Sequence, residues 1–367
     1  MDGARLPERD RLDRREGLLE FLNEKPASFS PLDTAQLALL APEDRAEYDH
    51  RRLEHLGGDI VLRLPKFLEV IEALKRASRF NRADIPRSRP RRMGRRAVLV
   101  VGETGTGKTT SCLAALQDRW YDLKRAGELM PDGDCPFVYI EVPPAATAKS
   151  MLAAFADFFN LPYTDRDSLP QLQNRVINYL VDRRRDLRFV VIDELQNLSV
   201  RTTTTGASAQ VIKALYNRVQ ATFVFAGTSI DEAGPITGPS GAQITGRSIP
   251  VYLDNYPLGN SGRGASTQEI RDRETWLNVV GMFGDELCLT GTTAASVQRM
   301  GPYLHRRTRG SIGALAQLLT MGAVRLIESR LAAGNERLTV ALLDEITLDL
   351  KTEMAADFYR GGTANAP

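Results

Sequence analysis

Residues 98–110 read Val-Leu-Val-Val-Gly-Glu-Thr-Gly-Thr-Gly-Lys-Thr-Thr, a composition and spacing suited to holding a phosphate chain. Glycines at 102, 105 and 107 let the backbone curl, so that the N–H groups of Gly102, Glu103, Thr104, Gly105, Thr106 and Gly107 face phosphate oxygens. Lys108 brings a positive charge to the β- and γ-phosphates, and the Thr109 hydroxyl is a ligand for Mg²⁺. Thr110 runs on into a helix whose positive end faces the same phosphates. A second feature is Phe189-Val190-Val191-Ile192-Asp193-Glu194, an apolar run that ends in two acids. Asp193, placed beside Thr109, is expected to hold Mg²⁺, and Glu194 to orient or deprotonate the water that attacks the γ-phosphate. The pair predicts ATP and Mg²⁺ as cofactors and ATP hydrolysis as the chemistry.

The elements that must position these residues follow from periodicity. Apolar runs at 98–101, 137–142, 189–194 and 222–228 read as strands, with helical patterns between them beginning at 65, 110, 151, 171 and 208. Strands alternating with helices predict an α/β domain with a parallel sheet buried on both faces. The stretch 234–266 is rich in Gly, Ser and Pro and reads as loop, interrupted by an edge strand at 249–253 that contains Pro250. From Thr267 the pattern is all helical, over 267–284, 293–306, 311–334 and 339–357. The expected organisation is an N-terminal helical arm (1–58), an α/β nucleotide-binding domain (59–266), a helical lid (267–357) and a disordered tail (358–367). The arm reads as mobile, and is either a contact surface for another protein or a solvated extension.

The 367 residues are 43% apolar and 26% charged, values of a soluble globular protein. No run of eighteen apolar residues occurs, and the first residues lack the apolar core of a signal peptide. Cys112, Cys135 and Cys288 have no metal-ligand spacing, and there are only 3 histidines. A cytoplasmic location, in a bacterial cytoplasm or nucleoid and away from any membrane, is the expectation. The net charge of +2 hides one concentration. Lys75, Arg76, Arg79, Arg82, Arg87, Arg89, Arg91, Arg92, Arg95 and Arg96 face Asp84 alone among acids. The run is either a solvated loop or a contact for nucleic acid phosphates.

The Asp-Glu pair behind the loop, without the Asn-Lys-x-Asp motif of GTPases or the Leu-Ser-Gly-Gly of transporter ATPases, resembles the AAA+ ATPases. Within that class the chain resembles the transposition ATPases of the TniB, TnsC and IstB kind. The resemblance rests on residues 102–109, on Val191-Ile192-Asp193-Glu194-Leu195-Gln196-Asn197-Leu198, on Phe225-Ala226-Gly227-Thr228 and on Arg309-Gly310-Ser311-Ile312-Gly313-Ala314-Leu315. It covers roughly 55–350. Gln196 stands where many such proteins carry His, a departure from which little mechanistic consequence is expected.

The resemblance implies further roles. Thr228 is either a sensor of the γ-phosphate or a strand-end cap. Arg247 is either a finger reaching a neighbouring subunit's ATP or a solvated loop arginine. Arg309 is expected to open a lid helix and act as the lid's sensor, with Arg306 and Arg307 as competitors. Lys149 with Thr147 is either on a loop that touches DNA backbone or a surface lysine at a helix start. Arg91 and Arg92 are candidates for DNA backbone contact through the charge of the basic run rather than through the resemblance. The function implied is an oligomeric ATPase, in a ring or filament, that binds duplex DNA without reading sequence and recruits or activates a transposase or integrase-type recombinase. An initiator or helicase loader, a signalling or defence NTPase, and a nucleotide-binding scaffold without catalysis remain alternatives.

Overall fold

Strands as apolar as Ala97–Val101 and the 189–192 part of Phe189–Asp193 are stable only where both faces are covered, and both strands are buried along their whole length. The computed structural model describes residues 12–24, 29–58, 62–81, 95–129, 135–182, 186–198, 205–232 and 236–354. They form two compact units, 1–24 with 66–253 and 25–65 with 254–367.

The first unit is built on a parallel sheet of β1 (Ala97–Val101), β2 (Phe137–Glu141), β3 (Phe189–Asp193), β4 (Thr222–Gly227) and β5 (Ser248–Tyr252), in the order β2-β3-β4-β1-β5. Its helices are α1 (Arg15–Asn23), α4 (Pro65–Asn81), α5 (Lys108–Arg125), α6 (Ala148–Phe158), α7 (Leu169–Leu180), α8 (Thr205–Arg218) and α9 (Gly238–Thr245). Pro250 lies in β5 at the sheet's edge, where its missing N–H breaks no ladder. The second unit is helical among its described residues: α2 (Thr34–Ala38), α3 (Pro42–Gly57), α10 (Thr267–Glu286), α11 (Ala294–Arg299), α12 (Gly301–Thr308), α13 (Ile312–Glu328) and α14 (Val340–Asp344). No single helix among the described residues is long and apolar enough to cross a membrane.

Two differences from expectation stand out, one local in cause and one long-range. The helix α9 lies inside the stretch read as loop, because its Gly, Pro and Ser content hides a turn anchored by buried Ile244. The segment 1–58, read as one arm, is divided between the units. In the first, Leu18, Phe21 and Leu22 of α1 are buried in the core. There α5 holds the end of α1: Gln117 Nε2 donates to the Phe21 carbonyl (3.2 Å) and Tyr121 to the Glu24 carbonyl (2.7 Å). In the second unit α3 packs on α13.

The attachment of α3 rests on charge as well as apolar contact. Arg52 is fully buried and donates to Glu336, also fully buried, at 2.8 Å and 2.9 Å, to Asp49, and to the Cys288 carbonyl. Glu336 also accepts from the Thr290 backbone and hydroxyl. Burial by itself pushes the Glu336 carboxyl up, but Arg52 and Thr290 outweigh it and hold it below the usual carboxylate range. A depressed carboxyl contributes stability above its unfolded-state value and loses it as pH falls through the folded-state value.

Arg52→Met should therefore destabilise this unit by about 3–5 kcal/mol in denaturant titrations, because Glu336 is left buried without its partner. Glu336→Gln should remove part of the stability loss that the wild type shows below the ordinary carboxylate pKa.

Candidate functional site

The carboxyl ends of parallel strands form a crevice where strand order turns back, here beside β1. The loop 102–107 leaves β1 there and enters α5. Gly107 caps α5 at φ +85, and a Cβ on it would lie 2.5 Å from the Phe67 ring, so both backbone and space require glycine. Lys108 is 5% exposed, and its Nζ donates to the Glu103 carbonyl at 2.9 Å. The same carbonyl accepts from the Thr106 hydroxyl at 2.8 Å.

Asp193 ends β3, fully buried. Its Oδ2 accepts from the Thr109 hydroxyl at 2.6 Å and from the Tyr139 hydroxyl at 2.9 Å, and its Oδ1 accepts from the Glu194 N–H at 2.8 Å. Burial, then the Asp193 carboxylate, push the Tyr139 phenol well above its ordinary pKa, so it stays a neutral donor. Burial does the same to the Cys112 thiol one turn into α5, leaving it unreactive. Glu194 follows with φ 53 and ψ 37, a left-handed conformation that non-glycine residues adopt at a cost. The Thr109 hydroxyl and the Asp193 carboxylate are hard oxygen donors of the kind Mg²⁺ takes.

Thr228 follows β4, the strand between β3 and β1. Its hydroxyl donates to the Gly102 carbonyl at 3.0 Å, and its N–H donates to Gln196 Oε1 at 3.0 Å. Gln196 Nε2 donates to Glu194 Oε2 at 2.5 Å. The structure thus brings together the loop from Gly102 to Thr110, Asp193, Glu194 and Thr228. It adds Tyr139, Gln196 and Phe67, to which the sequence reading gave no part in the site. A polar-tipped aromatic in an otherwise aliphatic strand, and a polar residue two positions after the acid pair, were the available signals.

The remaining candidates lie elsewhere. Arg247 is exposed just before β5, level with Arg96 at the opposite ends of the strands. At about 3.3 Å per residue, the strand puts it about 20 Å short of Gly102, so it does not reach the phosphate loop of its own chain. Thr147 caps α6, its side chain accepting from the Ser150 N–H. Half-buried Lys149 donates to the Asp165 carbonyl at 2.7 Å. Arg309 does not open α13. It sits in a left-handed conformation at the end of α12, and Ser311 caps α13. Arg307 is buried, donating to Glu353 and to the Ile346 carbonyl, while Arg306 is exposed. In the basic run, Lys75 pairs with Asp118, Arg95 donates to the Val219 and Asn217 carbonyls, and residues 82–94, with Arg91 and Arg92, lie outside the described residues.

Residues 91–232 match a family described as an AAA domain. No curated protein matches the chain. Among solved structures the chain is similar to Cdc6p from Pyrobaculum aerophilum, at 16% identity and a TM-score of 0.50 over 75% of this chain and 66% of that one. It thus spans a little under two thirds of that protein's length. Two Aeropyrum pernix structures are also similar. The ORC1 protein in complex with DNA has 18% identity and a TM-score of 0.47, over 80% of this chain and 68% of that one. The ORC2 protein has 12% identity and a TM-score of 0.45, over 78% and 69%. The fold is that of AAA+ P-loop NTPases: a central parallel sheet flanked by helices, with N-terminal helices and a helical C-terminal region.

Gly107→Ala places a side chain at positive φ, against Phe67. It should weaken binding of a fluorescent nucleoside triphosphate about tenfold or more, an amount matching the 1–2 kcal/mol typical of left-handed strain. Circular dichroism should be unchanged.

Proposed function

We propose that this chain is an AAA+ ATPase that assembles with copies of itself on duplex DNA and regulates transposition. In that role it marks a target and recruits or activates a transposase or integrase-type recombinase. The observation that carries the ATPase part is the contact of Thr109, from the phosphate loop, with Asp193, and Glu194 is next in sequence. The loop amides and Lys108 hold the triphosphate. The Thr109 hydroxyl and Asp193 would hold Mg²⁺, which when bound neutralises charge on the β- and γ-phosphates. Glu194 takes a proton from water as the water oxygen bonds to the γ-phosphorus and the bond to the ADP oxygen breaks. In this reading Thr228, at the end of the intervening strand, meets the γ-phosphate.

Self-association is supported by Arg247, exposed and out of reach of its own loop. In this reading it adds positive charge to the phosphates of a neighbouring copy. The transposition role rests on the four motifs quoted above. DNA contact rests on the basic run and on Lys149, whose contacts with phosphate position without reading sequence.

Glu194→Gln should keep ATP binding and lose turnover by about 10²-fold or more. Lys108→Ala should lose binding itself. Arg247→Ala should bind ATP and hydrolyse it poorly, and mixing it with Lys108→Ala should restore part of the activity at mixed interfaces. No recovery at any ratio would contradict action across a subunit boundary.

Duplex DNA binding, measured at several salt concentrations with ATP analogue, ADP or no nucleotide, tests the DNA reading. Binding should be tight only with the analogue and insensitive to sequence, with a log–log salt slope of about −0.9 per phosphate neutralised. Lys149→Ala should weaken all duplexes alike. Absence of nucleotide-dependent binding at low salt would contradict the transposition role, and capture of a replicative helicase in place of a transposase would redirect it.

A further inference from the structure

Gln196 connects two of the groups assigned above to hydrolysis, and it does so with both ends of its amide. Nε2 donates to the Glu194 carboxylate and Oε1 accepts from the Thr228 N–H. Those partners fix the amide's orientation, because a flipped amide would set N–H against N–H and oxygen against carboxylate. The line continues from Thr228 through its hydroxyl to the Gly102 carbonyl. Phosphate loop, strand end and acid are therefore joined by one hydrogen-bonded chain within the first unit.

Two further features belong to this connection. Gly227 provides the space for it, since a Cβ there would lie 2.3 Å from Gln196 Oε1 and 2.7 Å from the Ile230 side chain. The backbone that carries Gln196 is held on both sides. The short turn Leu195–Asn197 has Leu195 fully buried, and Asn197 Nδ2 donates to the Val142 carbonyl at 2.9 Å. A glutamate side chain has several rotatable bonds, and its place is fixed only by what its oxygens accept from. Gln196 supplies a donor anchored, through Oε1, to the residue placed to meet the γ-phosphate.

Resting on the ATPase reading, we propose that Gln196 is a positioning residue that ties Glu194 to the backbone of Thr228. The group that activates water and the group that meets the γ-phosphate then keep one geometry. Leucine at 196 fills similar volume and neither donates nor accepts. Histidine can donate from one ring nitrogen and accept at the other, so it can restore both contacts.

The test is steady-state ATP hydrolysis, together with binding of a nonhydrolysable analogue. The proteins compared are the wild type, Gln196→Leu and Gln196→His. Gln196→Leu should lower kcat about tenfold or more, as misplacement of a catalytic group does, with KM and analogue affinity nearly unchanged. Gln196→His should recover most of kcat. A Gln196→Leu protein with wild-type or raised kcat, or with its loss confined to affinity, would overturn the role of Gln196 alone. A well-folded wild type that binds ATP and never hydrolyses it, with DNA or without, would overturn the ATPase reading itself.

Discussion

The candidate site depends on one buried carboxylate. Asp193 sits at the end of a strand with no solvent to satisfy its oxygens, and a carboxylate in that position is costly unless donors surround it. Three donors do: Thr109 from the phosphate loop, Tyr139 from β2 and the backbone of Glu194. Each comes from a different part of the first unit, so the carboxylate ties the loop, the neighbouring strand and the turn after β3 into one arrangement. Removing any of the three would leave an oxygen of Asp193 with one partner fewer in a place where water does not substitute.

Strand order decides what else enters the site. β1 and β3 are not neighbours; β4 lies between them. Whatever follows β4 is therefore interposed between phosphate loop and acid pair, and Thr228 occupies that place with a contact to each side. The same order leaves β5 at the edge beside β1, with Arg247 at the opposite ends of the strands from the loop. One topology thus gathers a set of residues at the crevice and directs an exposed arginine away from it.

Much of this was legible in the chain. Four strands were visible as apolar runs, because a parallel sheet covered on both faces permits no polar alternation, and β5, half exposed at the edge, was legible only as a short run around Pro250. The loop, Asp193 and Glu194 were readable because glycine, lysine and acid positions there answer to phosphate chemistry rather than to packing. Tyr139 and Gln196 were not, since their meaning depends on which strands are neighbours, and that is set by pairing across long sequence separations. Residues 15–57 were misjudged for a related reason. Their charge suggested exposure, yet Arg52 is buried against Glu336, a partner far along the chain, and Leu18, Phe21 and Leu22 of α1 are buried in the core of the first unit. The reading of Arg309 as a helix opener failed locally: Gly310 at φ +74 and Ser311 together make the turn, and Ser311 supplies the cap.

The central claim is that Thr109 and Asp193 together form a Mg²⁺ site at the end of a phosphate loop. Its most direct test is the affinity of an ATP analogue with and without Mg²⁺, compared between the wild type and Asp193→Asn. The account predicts that Mg²⁺ tightens binding to the wild type about tenfold or more, taking 1.4 kcal/mol per decade. It predicts that Asp193→Asn keeps the metal-free affinity and loses most of that gain. An equal gain in both proteins would contradict it.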